Sequence, residues 1–316
     1  MIRISALNKS FNPLKAVDNV SFTVAAGEVL GILGPNGAGK TTCMQMISGF
    51  LLPDSGHVEI FGLDMVKQSQ QAKALIGYLP EGAPSYGDMS VHAFLTFVAN
   101  IRGLYSESAE QAVAKAIERL QLAQVQQQRI ETLSKGFKRR VGLAQAILHD
   151  PAVLILDEPT DGLDPNQKKQ VRTLIQNLSE DKIVLISTHI LEEVDAICSR
   201  VIILNRGAIV ADASPAHLRA QSRYFRAVTL TFFPDFITTG ATSTQHLLAT
   251  LEALEGVSKV VLDGDAVTIF PLQGKEIFRQ IYAVVEQNKW PLKEFQVESG
   301  RLHDVFHSLT EALDNV

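Results

Sequence analysis

The sequence has no long apolar run, and this shortage excludes a membrane-spanning chain. No uninterrupted apolar stretch approaches the ~18 residues that a helix needs to cross a bilayer. The first residues, Met1–Ser5, alternate like a strand and lack the apolar core of a signal peptide. We therefore expect a cytoplasmic protein without a transmembrane segment.

Cysteines are few and positive charge is not in excess. The two cysteines, Cys43 and Cys198, lie far apart inside predicted regular elements, so we expect buried free thiols rather than a disulfide. The net charge is -5, which gives no reason to expect a nucleic-acid partner. We interpret the one basic cluster, Lys135 with residues 138–140, as a solvated helix face.

The length of 316 residues, with 46% apolar and 20% charged residues, predicts two globular domains. We place a first domain at residues 1–215, a polar linker at 216–226 and an accessory domain at 227–316. The predicted elements of the accessory domain follow the order β-α-β-β-α-β with a helical tail, which predicts a small α+β ferredoxin-like fold. We find no catalytic constellation in it.

The most informative stretch is residues 34–41, G-P-N-G-A-G-K-T, which matches a phosphate-binding loop. The apolar run Val29–Leu33 before it predicts a buried strand, and residues 42–50 after it have helical spacing. A glycine-rich turn in this context directs backbone N–H groups at an anion. We expect Lys40 to reach the outer phosphates and the Thr41 hydroxyl to ligate Mg²⁺.

Polar side chains also follow the other apolar runs that predict buried strands. The carboxyl ends of parallel strands lie at one edge of a sheet, where α/β proteins bind ligands. We therefore expect five side chains to meet at one edge, namely Lys40, Glu81, Asp157, Glu158 and His189. Residues from about 82 to 150 read mostly as helices, which interrupt the α/β pattern.

With these residues in place, the chain resembles the ATP-binding subunit of an ABC transporter over residues 1–215. The motifs stand in the family's order: Walker A at 34–41, the signature at 133–137, Walker B at 153–157 with Glu158, the D-loop at 162–164 and the switch histidine His189. The resemblance implies an ABC-type P-loop NTPase domain with an antiparallel β subdomain and a helical subdomain at about 82–150. It also implies ATP hydrolysis.

Two departures from the family pattern narrow the resemblance. The signature has Lys135 and Phe137 where the family has Gly and Gln, and Glu81 stands where the Q-loop normally has Gln. Both departures resemble the ABC-2 type exporter branch, including cassettes associated with gliding motility.

The resemblance also assigns roles to individual residues. It implies that Phe11 stacks on adenine with Val17 nearby, and that phosphate is bound by Gly34, Pro35, Asn36, Gly37, Ala38, Gly39, Lys40, Thr41 and Thr42. The implied Mg²⁺ ligands are Thr41, Asp157 and Glu81. Glu158 would be the general base, supported by His189 and Lys40. The residues implied to act in trans on a second cassette are Ser134, Lys135 and Gly136, beside the D-loop residue Asp164.

The partners that the resemblance implies are a second cassette, identical or a close paralogue, and an integral-membrane permease that docks near Gly82–Tyr105. The chain would then sit on the inner face of the membrane through its permease. Two alternatives stay open: a soluble ABC ATPase that drives no transporter, as in translation or DNA repair, and a nucleotide-gated regulatory module.

Overall fold

A computed structural model of the chain describes residues 1–83, 85–233, 236, 241–272 and 274–311. By its internal contacts the chain divides into two units, Met1–Ser214 and Pro215–Val316. In the described part of the chain, no helix is both long and apolar enough to cross a bilayer.

The first unit begins with an antiparallel sheet, whose strands are β1 (Ile2–Phe11), β2 (Leu14–Val24), β4 (Ser55–Ile60) and β5 (Leu63–Asp64). The strands lie in the order β2-β1-β4-β5. Ile2 and Ile4 point into the core while Arg3 between them is exposed, so one face is buried. This sheet is the antiparallel β subdomain expected from the resemblance.

A second sheet forms the centre of the unit, with strands β3 (Val29–Leu33), β6 (Ile76–Leu79), β7 (Val153–Asp157), β8 (Ile183–Thr188), β9 (Arg200–Asn205) and β10 (Ala208–Ala213). Its order is β10-β9-β3-β8-β7-β6, and all neighbours except β10 and β9 are parallel. Because every residue of β3, β7 and β8 is buried, their sequences are continuous apolar runs. The carboxyl ends of β3, β8, β7 and β6 therefore lie side by side at one edge.

Helices complete this unit, namely α1 (Lys40–Ile47), α2 (Ser69–Ala74), α3 (Val91–Ile101), α4 (Ser106–Arg119), α5 (Lys135–Ile147), α6 (Pro165–Ser179) and α7 (Leu191–Ile197). Helices α3, α4 and α5 pack on one another and lie between β6 and β7 in the chain. They form the expected helical subdomain. Two short 3₁₀ turns, Ala123–Val125 and Ile130–Thr132, connect α4 to α5.

The interpretation of the basic cluster as a solvated face is wrong for two of its residues. Arg139 and Arg140 are only 5% and 8% exposed. A buried guanidinium needs hydrogen-bond acceptors, and backbone carbonyls supply them in both cases. The prediction for the cysteines is confirmed, since Cys43 and Cys198 are buried and free.

The second unit contains α8 (Pro215–Ala220), β11 (Phe225–Phe232), α9 (Ala241–Glu252), β12 (Val257–Asp263), β13 (Ala266–Pro271), α10 (Phe278–Asn288), β14 (Leu292–Ser299) and α11 (Leu302–Glu311). Its strands form an antiparallel sheet in the order β12-β13-β11-β14. Apolar side chains such as Leu230 and Ile269 pack on those of α9 and α10. The β-α-β-β-α-β order is the predicted one, and the ferredoxin-like assignment stays a prediction. The sequence pattern predicts the tail helix over Leu302–Leu313, and Leu313 lies outside the described residues.

Candidate active site

The loop between β3 and α1 is a tight turn that depends on glycine. A Cβ atom on Gly34 would collide with the carbonyl oxygen of Leu204, and one on Gly39 would collide with that of Ala16. Gly39 also has a φ of 99°, which is strained for other residues. Because these positions have no Cβ atom, the loop backbone can lie against the neighbouring strands. Its N–H groups then lie near the N-terminus of α1.

Lys40 is nearly buried at this turn. Its Nζ donates hydrogen bonds to the carbonyl oxygens of Gly34 at 2.8 Å and Pro35 at 3.1 Å. Burial lowers the pKa of Lys40, and the carboxylates of Glu158, Asp157 and Glu81 act in the opposite direction. The ammonium is therefore held over the loop.

A cleft of about 430 Å³ opens beside the loop and collects many of the predicted site residues. It is lined by Phe11, Leu14, Ala16, Asn36, Gly37, Ala38, Gly39, Lys40, Thr41, Thr42, Glu81 and Glu158. Phe11 lies at the end of β1 and is half exposed. Its ring is therefore accessible as one wall of the cleft.

Val17 lies beside the phosphate-binding loop, since its Cγ2 would be 3.5 Å from a Cβ atom placed on Gly39. Its side chain is fully buried in the core, whereas Leu14 and Ala16 of the same strand line the cleft. The position of Val17 near a bound nucleotide therefore stays a prediction.

Asp157, the last residue of β7, is almost completely buried, and Ser187 of the neighbouring β8 orients it. The Ser187 hydroxyl donates a hydrogen bond to Asp157 Oδ1. The same hydroxyl accepts one from the backbone N–H of Glu158 at 3.2 Å. The second carboxylate oxygen, Oδ2, is buried and has no hydrogen-bond partner among the described residues. An unpaired buried carboxylate oxygen is costly, which indicates a position for a cation.

Glu158 adopts an unusual backbone conformation and pairs with His189. Its φ is 51°, in the left-handed region that non-glycine residues seldom adopt and that is common at active sites. Its Oε1 lies 2.9 Å from Nδ1 of His189, which follows β8 and is exposed. Burial raises the pKa of Glu158, and the hydrogen bond from His189 offsets part of that rise. The raised pKa favours a role in proton transfer.

Arg139 of α5 holds the backbone under these two carboxylates. Its guanidinium donates to the carbonyl oxygens of Asp157 and Glu158, and to that of Pro80 at 3.0 Å. The ends of β6 and β7 are thus joined through one side chain of the helical subdomain. Sequence reasoning missed this role because the residue was interpreted as solvated.

A second buried group, Glu193 of α7, joins the segment that follows β7 to the last residue of β8. It accepts hydrogen bonds from the hydroxyls of Thr160 and of Thr188, the latter at 3.1 Å. Lys168 and Arg172 of α6 lie 3.8 and 3.9 Å from its Oε1. This network joins α6 and α7 to the end of β8, which His189 follows. Nothing in the sequence distinguished Glu193, or Ser187, from other polar residues.

The signature residues stand apart from the cleft. Its described lining does not include Ser134, Lys135 or Gly136. Ser134 is the N-cap of α5, and Lys135 forms an ion pair with Asp161 at 2.8 Å. Asp164 caps α6 by accepting a hydrogen bond from the N–H of Gln167 at 2.9 Å. The structure therefore brings together the Walker A residues, Asp157, Glu158 and His189, but not the signature.

Comparison with known proteins agrees with this geometry. A family model described as "ABC transporter" matches residues 17–161. The chain is 32% identical to the ABC transporter ATP-binding protein YxlF of Bacillus subtilis (strain 168), across 99% of this chain and 100% of the relative. It is 34% identical to Nod factor export ATP-binding protein I of Paraburkholderia xenovorans (strain LB400), across 70% of this chain and 73% of the relative.

A solved structure shares the fold of the first unit. It is a dimeric ATP-binding cassette in a post-hydrolysis state with ADP and phosphate bound, with a TM-score of 0.64 and 20% identity. The match covers 68% of this chain and 98% of the solved one. Together with the full-length similarity to YxlF, the fold and the site show that this chain belongs to the ABC transporter family as an ATP-binding subunit with ATPase activity.

Proposed function

We propose that this chain hydrolyses ATP to power export through a separate membrane permease. The observation that carries the proposal is the hydrogen bond between Glu158 and His189 beside the phosphate-binding loop. A site that only binds nucleotide would not need a carboxylate held in a left-handed conformation and paired with a histidine. The relative named for Nod factor export supports the direction of transport. The narrower similarity to gliding-motility cassettes stays a prediction.

In this proposal, Glu158 takes the proton of the attacking water, and His189 holds the carboxylate in the direction of that water. A pKa raised by burial makes Glu158 a better proton acceptor than an ordinary glutamate. Lys40 moves from the carbonyl oxygens of its own loop to the outer phosphates. There its positive charge stabilises the negative charge of the transition state. Phe11 stacks on the adenine ring.

The oxygen donors of the site fit Mg²⁺. The unpaired Asp157 Oδ2 is a hard ligand, and Thr41 lines the cleft beside the phosphate-binding loop. Within the described residues, no group of three or more His, Cys, Asp or Glu side chains could hold a metal by itself. That fits an ion that arrives with the phosphates of the nucleotide. When bound it would neutralise phosphate charge, and Glu81 at the rim would be a further oxygen ligand.

A complete site would require a second cassette, identical or a close paralogue. Ser134 and Gly136 lie at the N-terminus of α5, where backbone N–H groups favour an anion, yet they do not line the cleft of their own chain. We assign them, with Lys135, to the γ-phosphate held by the partner cassette, and we place the D-loop residue Asp164 between the two sites. The dimeric state of the solved cassette supports this assignment.

A groove in the helical subdomain fits the permease. It encloses about 840 Å³, and its walls include Tyr86, Phe97 and Ile101, which are exposed and apolar. These residues lie within Gly82–Tyr105, and Lys73 lines the other side. We assign the groove to a cytoplasmic helix of the permease, which would hold the chain on the inner face of the membrane.

The test of hydrolysis is the variant Glu158→Gln. It should bind ATP as the wild type does, while the steady-state rate falls about 10²–10⁴-fold, the usual contribution of a general base. Glu180→Gln, at the exposed end of α6, is the matched control and should change neither quantity. Near-normal turnover of Glu158→Gln would remove Glu158 from the role of base.

The test of transport is affinity purification of the tagged chain from detergent-solubilised membranes. The wild type should recover an integral-membrane protein, and Phe97→Asp should lose it. Phe50→Asp, which changes another exposed phenylalanine outside the groove, should retain it. Recovery of only ribosomes or DNA-repair proteins would instead support an ATPase that drives no transporter.

A further inference from the structure

The unit formed by Pro215–Val316 contains a cavity of its own, which the ATPase reaction does not use. It is partly open to solvent and has a volume of about 580 Å³, within the range of about 300–1,000 Å³ that is usual for small-molecule sites. One wall is the segment between α8 and β11, with Arg223 and Tyr224. The opposite wall is formed by β12 and β13, with Lys259 and Phe270. All of its lining residues belong to this unit.

The charge of the lining is of one sign. Arg223 and Lys259 line the cavity, and no carboxylate is among its described lining residues. The unit as a whole contains more acidic than basic residues, so this local excess of positive charge is not a consequence of composition. Arg223 has an ion pair with Asp304, its Nε lying 3.0 Å from Oδ1. The exposed ammonium of Lys259, by contrast, has no hydrogen bond or ion pair with a side chain or carbonyl oxygen of the residues that the structure describes, although the backbone of Lys259 pairs with Phe270 in the sheet.

The aromatic side chains of the cavity are held in place. The rings of Tyr224 and Phe270 meet edge to face, with their centroids 5.2 Å apart. The guanidinium carbon of Arg301 lies 3.8 Å from the centroid of Tyr224, and Glu298 fixes Arg301 through a hydrogen bond of 2.6 Å. Side chains that are already ordered lose little conformational entropy when a ligand binds.

We propose that this cavity binds a small organic anion that carries an aromatic ring. The ring packs against Tyr224 and Phe270, and the anionic group pairs with the ammonium of Lys259. Aromatic surface provides burial and ring contacts, and a cation without a partner provides the charge complementarity that selects an anion over a neutral analogue.

The experiment uses the full chain and 1-anilinonaphthalene-8-sulfonate, a fluorescent aromatic anion, with saturating ADP and Mg²⁺ to occupy the phosphate-binding loop. We expect one saturable site. Lys259→Glu should weaken its affinity by roughly tenfold, because an attraction becomes a repulsion. Lys293→Glu makes the same charge change on β14, outside the cavity, and should change the affinity by less than about twofold.

Competition on the wild type tests the same proposal without any substitution. Naphthalene-2-carboxylate should displace the probe, and the neutral naphthalene-2-carboxamide should not. Phe97→Ala should leave binding unchanged, because Phe97 lies in the groove of the helical subdomain, which is another aromatic surface that the probe could reach. Equal competition by the two naphthalenes, equal affinity of Lys259→Glu, or loss of binding in Phe97→Ala would each overturn the assignment.

Discussion

Replacement of Arg139 by methionine tests whether the helical subdomain holds the catalytic backbone in place. Arg139 is 5% exposed and donates to three carbonyl oxygens, those of Pro80, Asp157 and Glu158. Methionine preserves much of the apolar stem and removes all of the donors. Each carbonyl then loses its charged partner in a buried region.

The expected magnitude follows from these three bonds and from the cost of burying the charge. A hydrogen bond to a charged group contributes about 1.5–3 kcal/mol net, so three would contribute about 4.5–9 kcal/mol. Burial lowers the pKa of Arg139, which shows that desolvation of the guanidinium offsets part of this sum. We expect Arg139→Met to lower the free energy of unfolding of the Met1–Ser214 unit by about 3–5 kcal/mol.

Urea unfolding with two probes can separate the two units. The only tryptophan, Trp290, lies in the Pro215–Val316 unit, so its fluorescence reports that unit. Far-ultraviolet circular dichroism reports both. The dichroism transition should move to lower urea in Arg139→Met, and the fluorescence transition should keep its midpoint.

Two further variants make this prediction specific. Arg139→Lys keeps the charge but lacks the planar fork that reaches several acceptors, so we expect about half of the loss. Lys138→Met removes the neighbouring charge, for which the structure describes no ion pair, and should change the stability by less than about 0.5 kcal/mol. A loss below about 1 kcal/mol in Arg139→Met would refute the proposed role of the three bonds.

Three other predictions concern the cassette. Lys40→Ala should weaken ATP binding at least about tenfold, measured by calorimetry, because it removes a charge that lies over the phosphate loop; unchanged affinity would contradict that role. Phe11→Ala should weaken it about fivefold or more, as expected for the loss of base stacking, and equal affinity would leave Phe11 with a packing role only. Burial lowers the pKa of His149 to about 4. Because the unfolded state takes up a proton near the ordinary pKa of 6.5, stability is full above that pH and is lost as pH falls toward 4. We expect a loss of about 1 kcal/mol at pH 5, since the ring is partly open to solvent, and His149→Gln should abolish this pH dependence in urea titrations.

The parts of the fold that the sequence predicts are those set by local pattern. The buried strands β3, β7 and β8 are continuous apolar runs, and the phosphate-binding loop is recognised from the spacing of its glycines within residues 34–39. Polar residues at the ends of such runs therefore predicted the edge at which the site lies. The order of the strands is a different matter, because it depends on pairings between distant segments.

The residues that sequence reasoning misplaced are those whose environment is set by distant segments. Arg139 finds its acceptors at residues 80, 157 and 158, so its burial is invisible in the helix that carries it. The burial of residues on β2 also depends on pairing with another strand. The pairing of β1 with β2 shifts register between Leu7 and Ser10, and Ala16 and Val17 are both buried in succession. Such a shift breaks the alternation from which inward and outward positions are inferred.

The position of Arg139 connects α5 to both ATP sites of the proposed dimer. The helix begins at Lys135, immediately after its N-cap Ser134, and we assign the γ-phosphate held by the partner to this N-terminus. About one turn later, Arg139 donates hydrogen bonds to the carbonyl oxygens of Asp157 and Glu158 in its own chain. A helix transmits displacement along its axis because its backbone is rigid. A phosphate that binds at the start of α5 and displaces the helix would therefore displace Glu158, the general base of the other site, through the guanidinium of Arg139. It follows that Arg139→Met should reduce hydrolysis by more than it reduces ATP affinity, since the Walker A loop keeps all of its own contacts.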